Sequence, residues 1–151
     1  MLLVVPVLTA TPAAAIIGGQ PDGTGHPYVA MLFGPGASAP SCSGVLTRAD
    51  NGAVAVLTAA HCLTSGAGPA TGRGWQVEFS AVHTASSPRY TGTYYVARGY
   101  QPSVSRAHDL AAIVLTAGPT IQPAELGAPG REDNQPDRFL TVVGAGQPFV
   151  G

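Results

Sequence analysis

Thr58-Ala59-Ala60-His61-Cys62 ends an apolar run on a histidine and sets a cysteine beside it. Upstream, Ala53 to Thr58 reads as a strand, and Ala59 to Leu63 as a single helical turn following it. Further along, His108-Asp109-Leu110-Ala111-Ala112-Ile113-Val114-Leu115 places a carboxylate at the mouth of a second apolar run. A base, and an acid able to orient it, are two of the three groups that nucleophilic acyl transfer requires. No serine follows Asp109 within the 151 residues.

Around these two stretches the chain reads as all-β. Twenty glycines and fourteen prolines punctuate short apolar runs among 151 residues, a pattern of many turns and few helices. Strands are expected at Tyr28–Phe33, Cys42–Thr47, Ala53–Thr58, Trp75–Phe79 and Thr91–Arg98. Asn51-Gly52 marks the hairpin between the second and third of these. In the fourth, Trp75, Val77 and Phe79 alternate with Gln76, Glu78 and Ser80, the period of a half-buried strand. Leu110–Leu115 is apolar throughout and is expected to be a central strand with neither face in water. Residues 118–137 lack periodicity and read as a linker lying over a surface; Phe139–Val143 then opens one more strand.

Charged residues make up 10% of the chain and the net charge is −1, with seven arginines and no lysine. That composition carries no footprint for nucleic acid or for a membrane surface. Met1 to Ala15 reads as a secretory signal peptide, with an apolar core from Leu2 to Leu8 and small residues at Ala13-Ala14-Ala15. The apolar core is far shorter than the roughly 20 residues needed to span a bilayer. No basic residue precedes Arg48, so the usual positive n-region is missing, and the competing reading is a buried N-terminal strand of a cytosolic protein. In a secreted chain Cys42 and Cys62 would form a disulfide; inside a cell they would be two reduced, buried thiols.

Taken in order, these motifs resemble the trypsin-like (chymotrypsin-fold) serine endopeptidases, especially their secreted bacterial members. Ile16-Ile17-Gly18-Gly19 resembles the mature N-terminus, Cys42-Ser43-Gly44 the first disulfide arm, Thr58–Cys62 the general-base motif and Asp109–Leu115 the aspartate strand. Val142-Val143-Gly144-Ala145-Gly146 is a weaker match, with Ala145 where an aromatic residue is usual. The resemblance covers residues 16 to 146 and implies the first antiparallel β-barrel of a two-barrel fold. Its domains would be a signal peptide at 1–15, the first barrel at 16–117, an inter-barrel linker at 118–137, and the first strand of an incomplete second barrel at 138–151.

The resemblance implies His61 as general base, Asp109 as the carboxylate that orients it, a Cys42–Cys62 disulfide bracing the base, and Ile16 as the mature N-terminus, with no cofactor and no metal. It also implies a polypeptide substrate and a secreted protein, with the missing C-terminal barrel as intramolecular partner. The family's Gly-Asp-Ser-Gly-Gly loop is absent from the sequence, so the chain alone is expected to be inactive. Ala15 stands where zymogens carry Arg or Lys, so signal peptidase itself is expected to expose Ile16.

Other readings of the same residues stand beside these. His61 and Cys62 could be half of a metal site, although His26, His83 and His108 lie singly in apparent loops. Asp109 could be an ordinary polar residue ending a loop. Ser43 could be taken for a nucleophile, but it precedes the histidine where the family's order is His, Asp, Ser. A secreted, non-catalytic protease-like module kept for binding is the alternative function.

Overall fold

The computed structural model describes residues 21–103, 108–127 and 142–144. Seven strands follow one another in the chain: β1 (Val29–Phe33), β2 (Cys42–Arg48), β3 (Val54–Thr58), β4 (Thr71–Gly72), β5 (Gln76–Glu78), β6 (Arg89–Val96) and β7 (Ala111–Leu115). One four-residue helix, α1 (Ala60–Leu63), follows β3. All strand pairs are antiparallel. Around the sheet the order β5-β1-β2-β3-β7 closes on itself because β6 pairs with both β5 and β7. The result is a closed six-stranded barrel, with β4 added on the edge of β6. Closure leaves the six strands without free edges, the arrangement that protects small β-proteins from edge-to-edge pairing.

The register shows which residues fill the barrel. Val56 lies opposite Leu46 on one side and Ile113 on the other, and Ile113 lies opposite Tyr94. Leu32 lies opposite Val77, and Val77 opposite Tyr90. Cross-strand partners share a face, so these side chains all point inward. They form the core with Ala30, Val96, Ala111 and Leu115. Two inward positions are glycine. At Gly44 a Cβ would meet the Val56 side chain and lie 2.8 Å from the Leu57 carbonyl oxygen; at Gly92 it would meet the Val114 backbone.

Most of the expected strands form, with ends displaced by a residue or two. Leu110 is a correction. It lies outside β7 and is 54% exposed. Within β7, Ala111, Ile113 and Leu115 are buried while Ala112 and Val114 are half-buried, so the strand is central in the sheet yet keeps one face toward the barrel exterior. Its apolar outer residues are covered only in part. The short β4 had no counterpart in the reading of the sequence: two residues carry no detectable period.

Glu78 departs from the alternation in a different way. It points outward, opposite Met31 and Arg89, yet it is fully buried. The loop after β5 folds back over it: His83 Nδ1 lies 2.9 Å and Arg89 Nε 3.6 Å from Glu78 Oε2. Arg89 in turn donates to Gln76 Oε1 at 2.8 Å and stacks 3.8 Å above the Phe33 ring. Burying a carboxylate is costly without such partners.

Residues 118–127 follow β7. Ile121 packs against the core, and the Ala124 N–H donates to the Leu46 carbonyl at 2.9 Å, so the segment lies along β2. Of the expected strand Phe139–Val143, only Val142 and Val143 fall among the described residues, and neither belongs to a strand. The signal-like segment and Ile16 lie outside the described residues. Among the described residues no helix is long and apolar enough to cross a membrane.

Candidate active site

Strand pairing alone brings His61 and Asp109 to the same rim of the barrel. β3 and β7 are antiparallel, with Thr58 opposite Ala111. His61 comes three residues after Thr58 and Asp109 two residues before Ala111, so both emerge where β3 ends and β7 begins. β2 runs antiparallel to β3, so its first residue, Cys42, starts at that rim as well. Base, acid and both cysteines therefore converge although they are distant in sequence.

Helix α1 would be unstable by itself. Four residues form barely one turn, its first N–H groups have no intrahelical acceptor, and Ala59 at the N-cap position supplies no side-chain oxygen. Asp109 fills that role from across the rim. Its Oδ1 accepts the His61 backbone N–H at 2.9 Å, and the Ala60 N–H adds a smaller stabilisation of the carboxylate charge. The other oxygen, Oδ2, lies 2.6 Å from His61 Nδ1. An ionised carboxylate can only accept, so Nδ1 carries the hydrogen and neutral His61 keeps its lone pair on Nε2. One carboxylate thus fixes the position of the turn, the orientation of the ring and its tautomer.

His108 sets the direction from which Asp109 arrives. It is the sole non-glycine among the described residues with positive φ, at 55°, a left-handed conformation that histidine tolerates better than branched residues do. The Leu110 N–H donates to the His108 carbonyl at 2.7 Å, closing a tight turn around Asp109. The His108 ring packs on Gly99, where a Cβ would stand 2.6 Å from ring Cδ2. His108 is thus an exposed neighbour of the site and also the bend that turns the chain into β7.

His61 is 42% exposed at its side chain and Asp109 only 19%. Burial pushes the Asp109 carboxyl up, but the His61 backbone N–H, the His61 ring, its charge and the Ala60 N–H together outweigh burial. The net effect is a carboxyl held below its ordinary value of 3.8. Because the folded value is depressed, the stabilisation it provides is complete above the unfolded value and is lost as pH falls through the folded one. We expect the amide resonances of Ala60 and His61 to shift together on acidification below 3.8, followed by NMR. The readout must be specific to these residues, because Asp22 is lowered in the same direction, chiefly by its hydrogen bond with His26. Invariant Ala60 and His61 amides across that titration would contradict the capping role.

Cys42 and Cys62 form a disulfide that ties α1 to the start of β2. It closes a separation of 20 residues, and loop entropy assigns such a link about 3 kcal/mol. A double Cys42→Ser/Cys62→Ser variant is expected to lose roughly that much stability, measured by urea denaturation. An unchanged midpoint would show that the barrel and the Asp109 cap hold the turn without it. The disulfide also settles the metal alternative for the oxidised protein, since bonded sulfurs offer no thiolate ligand. The other histidines lie elsewhere: His26 pairs with Asp22 and His83 with Glu78.

Ser43 is a β2 residue, and its carbonyl accepts the Thr58 hydroxyl at 2.8 Å, linking the ends of two strands under the site. Gly144 returns to this rim, its α-carbon face turned to Ser43, where a Cβ would be 3.2 Å from Oγ. His61, Asp109 and the two cysteines, all named from the sequence, come together at this rim. Sequence reasoning missed the N–H groups of Ala60 and His61 as partners of the carboxylate. The absence of a capping side chain at Ala59, directly before a short turn, was the available signal.

The site thus consists of a histidine after the third strand of a closed six-stranded barrel, held by an aspartate just before the last strand. No curated protein matches the chain significantly. The chain belongs to the trypsin family: the family model described as Trypsin matches residues 16–151.

Proposed function

We propose that the chain is the N-terminal, base-carrying half of a secreted serine endopeptidase that cleaves polypeptides by acyl transfer. The observation that carries the proposal is the 2.6 Å pairing of His61 Nδ1 with Asp109 Oδ2, which leaves Nε2 as the proton acceptor. In this reading His61 Nε2 takes the proton of a serine hydroxyl as that oxygen attacks the scissile carbonyl. It then gives the proton to the departing amine. Asp109 holds the ring and stabilises the imidazolium formed between the two transfers. The nucleophile, the oxyanion donors and the specificity pocket would come from a second barrel. No serine follows Asp109 within the 151 residues, and a base without nucleophile or oxyanion donors has no acyl chemistry to assist.

Sequence features at the N-terminus support export: residues 1–15 serve as signal peptide, and cleavage after Ala15 would free Ile16 without a separate activating protease. The second reading is a non-catalytic protease-like module that binds proteins. Against it stand the intact tautomer-fixing hydrogen bond and the doubly anchored turn, neither of which a binding surface requires.

The test compares the chain with the protein encoded when its reading frame is followed past codon 151. The chain alone is expected neither to hydrolyse peptide anilides nor to react with a fluorophosphonate. A frame that reaches Gly-Asp-Ser-Gly-Gly is expected to do both, with hydrolysis abolished by His61→Ala. Hydrolysis that survives His61→Ala, or a frame that ends without a nucleophile loop, would remove the enzyme reading.

A further inference from the structure

We propose that Cys42, Cys62 and His61 form a thiol-gated binding site for a thiophilic divalent cation of the zinc type. A sulfur from each cysteine and a ring nitrogen of His61 lie within 4.8 Å of one another. His61 Nε2 is 3.8 Å from Cys62 Sγ. In a tetrahedral zinc site, bonds of about 2.3 Å to sulfur and about 2.0 Å to nitrogen put neighbouring ligand atoms roughly 3.5–3.8 Å apart. The nitrogen and one sulfur, at 3.8 Å, stand a little beyond the roughly 3.5 Å of a nitrogen–sulfur pair. The two sulfurs stand far closer, because they are bonded to each other.

Reduction would release them. A thiolate of a small dithiol attacks one sulfur and forms a mixed disulfide, and its second thiol displaces the protein from it. Two electrons and two protons pass to the cysteines, and the reductant leaves as its own disulfide. The cation then binds two thiolates and Nε2, and the two thiol protons are released. Three protein ligands leave a fourth position for water.

Three features favour capture over simple loss of a crosslink. First, the backbones of both cysteines are held by contacts other than the sulfur bond. Cys42 is paired with Leu32 in the β1–β2 ladder, and α1 is anchored by Asp109 through the His61 N–H. Second, the Nδ1 bond to Asp109 presents Nε2 as the ligand atom and makes the ring a better donor, the carboxylate–histidine–metal arrangement. Third, His61 is exposed and the cysteines are only part-buried, so reductant and cation can reach them.

Binding of the cation does not depend on the protease reading. Only its consequence does: a cation on Nε2 occupies the lone pair that proton transfer needs, so a reducing, zinc-containing medium would switch the base off.

Cobalt(II) tests the site without any activity assay. The chain is titrated with cobalt in its oxidised and dithiol-reduced states, with amide NMR recorded in parallel. The reduced chain is expected to bind one cobalt with a strong near-ultraviolet thiolate band, to lose it to zinc, and to retain dispersed amide resonances. The oxidised chain is expected to show no such band. Cys42→Ser should diminish the band, and His61→Ala should weaken affinity at least about tenfold. A band that is missing in the reduced chain, unaltered by His61→Ala, or accompanied by collapse of amide dispersion that zinc does not reverse would overturn the proposal. Each of these outcomes leaves the protease reading untouched, because none measures peptide cleavage.

Discussion

Replacing Asp109 with asparagine is expected to lower kcat of the enzyme built on this barrel by about 10⁴-fold, with little change in stability. The magnitude is that of the same replacement in the trypsin family; the geometry here explains why the two effects separate. Asp109 has two tasks, divided between its oxygens: Oδ1 accepts the His61 backbone N–H at 2.9 Å, and Oδ2 meets Nδ1 at 2.6 Å. Asparagine keeps one oxygen, which can continue to accept the backbone donor and hold α1. Its amide nitrogen then faces Nδ1. Two donors cannot share one hydrogen bond, so Nδ1 must become the acceptor and the ring hydrogen moves to Nε2. Nε2 loses its lone pair and can no longer accept a proton.

The measurement is kcat of Asp109→Asn against a short peptide substrate, with the urea midpoint recorded on the same preparation. Asp109→Ala should lose activity as severely and also destabilise the turn, since no oxygen remains for the Ala60 and His61 N–H groups; a lost helix cap typically costs about 1 kcal/mol. Equal stability losses in the two variants would mean that the carboxylate does not cap α1. Near-normal kcat in Asp109→Asn would mean that His61 is not the base.

How much of this was legible in the sequence depends on how far each feature reaches along the chain. Thr58–Cys62 and Asp109–Leu115 could be recognised because each motif is local, and the order of the two is preserved. Their meeting at one rim follows from the antiparallel pairing of Thr58 with Ala111, which a family resemblance implies but which no local period encodes. Glu78 shows the limit of periodicity. The alternation of Gln76, Val77 and Glu78 states correctly which way each side chain points, but not what lies beyond. That the loop carrying His83 folds back, and that Arg89 arrives from the neighbouring strand, are facts of tertiary structure. Leu110 failed for a related reason: it was grouped with the apolar run that follows, whereas the turn at His108 leaves it outside the ladder.

Gly92 combines both lessons, and it yields the largest stability effect expected in the barrel. Within Arg89–Val96 a glycine among β-branched and aromatic residues looks like a weakness, since glycine interrupts strand packing. In the closed barrel it sits opposite Leu115, on the strand that completes the circle between β5 and β7. A Cβ there would run into the Val114 carbonyl oxygen and lie 2.8 Å from its carbon and 3.0 Å from the Leu115 Cα. All of these atoms are backbone, so no side chain can swing away to make room. Relief requires β6 and β7 to separate, breaking a ladder that runs from Gly92–Leu115 to Val96–Ala111. Gly92→Ala is therefore expected to cost more than about 3 kcal/mol, at or beyond the upper end for overpacking. A domain whose whole stability is roughly 5–15 kcal/mol would be brought close to unfolding by that change. Gly44→Ala is the internal comparison: its would-be Cβ meets Val56 Cγ1, a side chain that can rotate, as well as the Leu57 carbonyl oxygen, so it should be the milder of the two. Urea midpoints of both variants against the parent provide the check. If Gly92→Ala unfolds no sooner than Gly44→Ala, β6 and β7 do not approach as closely as barrel closure demands. The rim that joins His61 to Asp109 would then owe its geometry to the β3–β7 pair alone.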